Sequence, residues 1–111
     1  MNYTSIEQSK KLLKLGLNPE SSDMECGIPC WSVGALFEIL PDEIKAKNDI
    51  GEYVYTFRMM DKRTIEYGCY INKFDDYWKP MISYAGDDFL DVCYNMVVWL
   101  LENGYIKIKT M

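Results

Sequence analysis

Residues 88–103 carry two apolar stripes at helical spacing. Phe89, Cys93, Met96, Val97 and Leu100 form one, and Leu90, Tyr94, Val98 and Leu101 form the other. Only Asp88, Asp91, Asn95 and Glu102 make a polar strip between them. Asp87 or Asp88 suits the positive end of the helix macrodipole, and Gly104 supplies the stop. A helix this apolar has to be covered on two sides. One side lies on a sheet; the other meets either the N-terminal part of the chain or a second copy, so a homodimer through this helix is one alternative.

The rest of the chain supplies those covers. Thr4-Ser5-Ile6-Glu7 has capping-box spacing, with the Thr4 hydroxyl and Glu7 carboxylate expected to satisfy free amides, and Gly16 ends a first helix of about three turns. Gly16 to Pro29 reads as an ordered loop. Ser32 caps a second helix whose Val33, Leu36, Phe37 and Leu40 share a face, and Pro41 ends it. Asp42 to Glu52 reads as an acidic, polar connection.

From Tyr53 the period becomes two. Tyr53, Tyr55, Phe57 and Met59 oppose Val54, Thr56 and Arg58; after the turn Asp61-Lys62-Arg63, Ile65, Tyr67, Cys69 and Ile71 oppose Glu66, Gly68 and Tyr70. These are two strands of a hairpin. Trp78 to Ala85 is a third strand, placed at a sheet edge by Pro80, which lacks a ladder donor. Tyr105 to Lys109 reads as a charged edge strand with Ile106 and Ile108 inward. The expected fold is a single α+β domain over residues 1–111, in order ααβββαβ. An antiparallel sheet of three to four strands carries its helices on one face.

Charge and composition exclude several classes of function. With 17 Asp and Glu against 12 Lys and Arg, the net charge of -5 opposes duplex nucleic-acid binding. The absence of histidine removes Ser-His-Asp and Cys-His nucleophile systems and HExxH zinc sites. The longest apolar run, Met96 to Leu101, is far too short for a bilayer. The charged N-terminus reads as lacking a secretion signal, so a cytoplasmic protein with reduced thiols is expected, and no membrane association.

Cys26-Gly27-Ile28-Pro29-Cys30 before a helix is similar to the redox pair of thioredoxin-like proteins, because a helix N-terminus lowers thiol pKa. Three intervening residues and the lack of a preceding buried strand depart from that motif. The pair therefore reads as a loop cysteine and a cysteine at the start of a helix. Four thiolates would suffice for zinc, but Cys69 and Cys93 form no second close pair. Asp75-Asp76 and Asp87-Asp88-Asp91 have the chemistry for a divalent cation, yet read as a turn and a helix cap. No metal or cofactor is expected, and no phosphate loop is present, since Gly27, Gly34 and Gly51 stand alone. No catalytic residues are assigned.

The 9 Tyr, 3 Trp and 4 Phe exceed what so small a core needs. Tyr70, Tyr77, Trp78 and Tyr84, with Arg58 and Arg63, are the candidate face for a partner or ligand; Lys62, Lys73 and Lys79 lie nearby.

Pro29-Cys30-Trp31-Ser32-Val33-Gly34-Ala35-Leu36 and Val98-Trp99-Leu100-Leu101-Glu102-Asn103-Gly104-Tyr105-Ile106-Lys107 resemble segments of small proteins of gut Bacteroides-type bacteria, their phages and mobile elements. The opening Thr4 to Leu12 shares this resemblance, which implies an origin and assigns no activity. The strand, strand, strand, helix order from Tyr53 is similar to the antitoxin fold of the HicB family, without that family's proline- and glycine-rich turn after the second strand. The expected role is a small binding protein acting on a protein partner. The alternatives are a small-ligand or nucleotide binder and an inhibitor of a host defence system.

Overall fold

A computed structural model of the chain describes residues 2–48, 51–61, 63–70 and 78–106, with the backbone alone at 46–48, 51–53 and 70. In order, the elements are α1 (Ile6–Lys14), a 3-10 turn (Pro19–Ser21), β1 (Met24–Glu25), β2 (Pro29–Cys30), α2 (Val33–Ile39), β3 (Glu43–Asn48), β4 (Gly51–Asp61), β5 (Thr64–Tyr70), β6 (Trp78–Ala85) and α3 (Phe89–Glu102). The fold is α+β. Strands β3-β4-β5-β6 form an antiparallel sheet in that order, and β1-β2 form a separate small hairpin. Among the described residues, no helix is long and apolar enough to cross a membrane.

Helix α3 finds both of its covers within the chain. Its buried residues Leu90, Val92, Cys93, Met96, Val97, Val98, Leu100 and Leu101 join one cluster with Ile44, Ile65 and Tyr67 of the sheet and with Leu12, Leu17, Trp31, Leu36 and Leu40 of the N-terminal layer. The bare side on which a homodimer through α3 was argued is therefore occupied by the chain itself. Asp88 caps the helix by accepting from the Leu90 amide, and Gln8 of α1 donates to Asp91 at 3.0 Å.

The α1 cap lies one residue later than its spacing predicts. Ser5 accepts from the Gln8 amide and Gln8 Oε1 accepts from the Ser5 amide, so the capping box is Ser5/Gln8 rather than Thr4/Glu7. Thr4 is employed elsewhere. Its hydroxyl accepts the Trp31 amide at 3.0 Å and pairs with the Ser9 hydroxyl at 2.7 Å, while its own amide donates to the Trp31 carbonyl at 2.9 Å. Trp31 itself is fully buried, and its indole donates to Ser21 Oγ at 2.9 Å.

The polar connection expected over Asp42 to Glu52 is instead the start of the sheet. Glu43, Lys45 and Lys47 alternate with Ile44, Ala46 and Asn48 in edge strand β3, whose one strongly apolar residue, Ile44, is buried. The expected loop Gly16 to Pro29 contains the 3-10 turn and the β1-β2 hairpin. Tyr105 and Ile106 follow α3 without strand structure, and the remainder of the expected last strand lies outside the described residues.

The β4-β5 hairpin and β6 form as predicted, and Pro80 sits in the edge strand. One feature of β6 escapes its pattern. Ile82 pairs with Tyr67 but Pro80 pairs with Gly68, so Met81 is an extra residue, a β-bulge. Strict alternation would put Tyr84, Ile82, Pro80 and Trp78 on one face. Beyond the bulge, Pro80 and Trp78 turn to the opposite face, away from α3.

Two outcomes follow from this packing. Urea denaturation of Thr4→Val, which strands the buried Trp31 amide, is expected to lose about 1–3 kcal/mol, and Ser5→Ala about 1 kcal/mol. Glu7→Gln should stay within about 0.5 kcal/mol of the parent; equal losses at Thr4 and Glu7 would restore the earlier cap. The second outcome concerns alkali. Burial pushes the Cys93 thiol up to about 11, and Tyr67 is raised by burial and then by Asp42. The unfolded chain releases the Cys93 proton near pH 9 while the native one holds it, so stability is full below about pH 9 and falls as pH rises toward about 11. Melting temperatures across that range check this.

Candidate functional site

All three described helices belong to the layers beneath one face of the sheet, the face of Ile44, Ile65 and Tyr67. The opposite face follows from the register. Glu43 pairs with Thr56, Lys45 with Val54, Arg58 with Glu66, Glu66 with Ser83 and Gly68 with Pro80, so these residues point away from α3. Val54 and Thr56 are exposed there.

On this outer face stands a three-residue arrangement. The Trp78 indole donates to Glu66 Oε1 at 2.7 Å, and the Arg58 guanidinium lies over the ring at 5.0 Å from its centroid. Glu66 is only 6% exposed, an unusual position for a carboxylate, and the charge-assisted indole bond offsets part of its desolvation. The ring can lie this low because residue 68 has no side chain. A Cβ there would come within 2.7 Å of Trp78 Cε2 and 2.6 Å of the Lys79 carbonyl oxygen. A glycine inside a strand marks such a close approach, and it is the signal in the sequence that could have identified Gly68 and Glu66 as part of the site.

Of the six candidate residues, the structure brings Arg58 and Trp78 together. Tyr84 pairs with Ile65 on the inner face, where burial and then Glu102 raise its phenol. Arg63 lies at the other end of the sheet, roughly 20 Å from Trp78 by strand rise. There it meets Asp87 at 3.2 Å in a largely exposed pair, of the kind that contributes little. Tyr70 pairs with Trp78 through its backbone. Tyr77, like Lys62, Lys73 and Asp75-Asp76, lies outside the described residues.

The acidic cluster at the start of α3 is occupied by the fold: Asp87 meets Arg63, Asp88 caps the helix and Asp91 accepts from Gln8. An open depression lies between Glu20–Asp23 and the start of α2, lined by Ser21, Asp23, Ser32 and Glu38 among others. Its Asp23 accepts the Ser32 amide and hydroxyl. Desolvation acts to raise this carboxyl, and the hydrogen bonds outweigh it and hold it low. That carboxylate fixes the α2 cap.

Compared with known protein families, curated proteins and solved structures, the chain matches none of them.

The close approach at Gly68 is testable by contrast with Gly34. Gly68→Ala is expected to lose about 1–3 kcal/mol through overpacking and to change the Trp78 fluorescence. Adding Trp78→Ala should recover part of the loss, because the Lys79 carbonyl remains in the way. Gly34→Ala, whose Cβ would meet only Ser32 Oγ at 3.8 Å in a helix, should gain about 0.5–1 kcal/mol. A neutral Gly68→Ala would show that the ring does not rest there.

Proposed function

We propose that this chain is a small cytoplasmic binding protein, encoded by a phage or mobile element, that engages a protein partner through the face of its sheet that no described helix covers. The observation that carries this reading is the Arg58–Trp78–Glu66 arrangement on that face. Trp and Arg are the residue types that most often dominate interface energies, and here both are held in place before any partner arrives. Pre-ordering of this kind lowers the entropy lost on association.

The net charge of -5 favours a protein over a nucleic-acid backbone as partner. The nucleotide alternative has less support, because Arg58 already lies over the Trp78 ring that a base would stack on, and Tyr84 faces the core. An inhibitor of a host defence system is a special case of the protein-partner reading.

The test is affinity capture from lysate of a gut Bacteroides-type bacterium with tagged wild-type protein and an Arg58→Ala variant. Loss of an exposed cation–π contact costs only about 0.5–1 kcal/mol, so the variant should remain folded, which circular dichroism verifies. One specific protein is expected with the wild type, reduced at least roughly tenfold with the variant, as for an interface anchor. A folded wild type that retains no specific protein, or a partner retained equally by Arg58→Ala, would contradict the reading.

A further inference from the structure

The β1-β2 hairpin holds a pair of thiols that the sheet face does not use. Met24 pairs with Cys30 and Glu25 with Pro29, so Cys26, two residues beyond Met24, shares a face with Cys30 as its diagonal neighbour. Gly27 adopts a positive φ of 87° at the tip, and the Cys26 amide donates to the Ile28 carbonyl at 3.0 Å, which folds the chain back on itself. The Cys30 thiol donates to the same carbonyl at 3.4 Å, and it is the group that acts most strongly on the Cys26 thiol. Cys26 is exposed, whereas Cys30 is buried. The three intervening residues that spoil a helix-start redox motif are the span of this hairpin tip.

We propose that Cys26 and Cys30 are a site of reversible oxidation, an intramolecular disulfide formed by exchange with a low-molecular-weight disulfide such as glutathione disulfide. The exposed Cys26 thiolate attacks one sulfur of glutathione disulfide; that S–S bond breaks and one glutathione leaves as its thiolate. Cys30, its proton released to solvent, then attacks the Cys26 sulfur of the mixed disulfide and expels the second glutathione. Two protein thiols are oxidised and one glutathione disulfide is reduced to two glutathione thiols. A disulfide needs their Cα atoms within about 7 Å, and diagonal neighbours on a hairpin stand close to that separation, so a small closure at the Gly27 tip brings them to disulfide geometry.

The hydrogen bond with Cys30 raises Cys26 above the ordinary thiol range, with smaller contributions from desolvation and the charges of Cys30 and Glu25. Exchange at neutral pH is consequently slow. Such a pair responds to a sustained oxidising environment and is poorly suited to rapid catalytic turnover. Cys93, fully buried with its thiol held near 11, is the internal control.

The experiment treats the full chain with glutathione disulfide at about pH 8, blocks remaining thiols by alkylation and maps the peptides by mass spectrometry. Wild type is expected to lose the Cys26 and Cys30 thiols together, with a crosslink between them that dithiothreitol reverses. Cys30→Ser should accumulate a glutathione adduct on Cys26, and in Cys26→Ser the buried Cys30 should react at least roughly tenfold more slowly than Cys26 does in the wild type. Wild type that stops at the adduct, pairs Cys26 with Cys69 or Cys93, or stays fully reduced would overturn the proposal. The wild-type result decides this even where a variant misfolds.

Discussion

Helix α3 is apolar around most of its circumference, and a single layer cannot satisfy such a helix. The sheet covers one side through Ile44, Ile65 and Tyr67, and α1, α2 and Trp31 cover the other. The N-terminal layer therefore needs its own ties. Thr4 and Ser21 provide them by hydrogen-bonding the backbone and indole of Trp31, with Ser9 paired to the Thr4 hydroxyl, while Asp23 fixes Ser32 at the start of α2. Asp91 then links α3 back to α1 through Gln8.

Placing every described helix on one side has a consequence for the sheet: no described helix covers its other face. An open face of ordinary polar residues would invite no particular partner. The bulge at Met81 changes this by turning Trp78 outward, onto Gly68 and beside Glu66 and Arg58. Sheet bulges re-aim side chains in this manner. A large amphipathic ring, a nearly buried carboxylate and a guanidinium thus come together where the fold leaves room for another molecule.

Long periodic signals carried the fold. The stripes of α3, the Ser32 cap of α2 and the alternation of β4 and β5 were legible because each repeats over several turns or residues. The failures are local. Thr4/Glu7 and Ser5/Gln8 are overlapping capping boxes one residue apart, and the choice was made by the distant Trp31 amide, which no short window contains. Strand β3 has a single strongly apolar residue among charges, so its period-two pattern resembled a solvated connection.

The candidate site was legible only in part for a similar reason. The structure brings Arg58 and Trp78 together, but strict alternation placed Tyr84 beside Trp78, and one extra residue between them sends the two rings to opposite faces. Pro80, beside Met81, suits an edge strand and a bulge alike, and was legible only as the edge. Gly68, an interior strand glycine, was the available clue to where the indole rests.

The face assignment of Trp78 is the claim on which the binding account stands, and proton NMR reads it directly. Nuclear Overhauser contacts from the Trp78 ring are predicted to the Gly68 α-protons and the Arg58 side chain, with none to α3. Contacts from that ring to the methyl groups of Val92, Met96 or Leu100 would place it in the core and contradict the account.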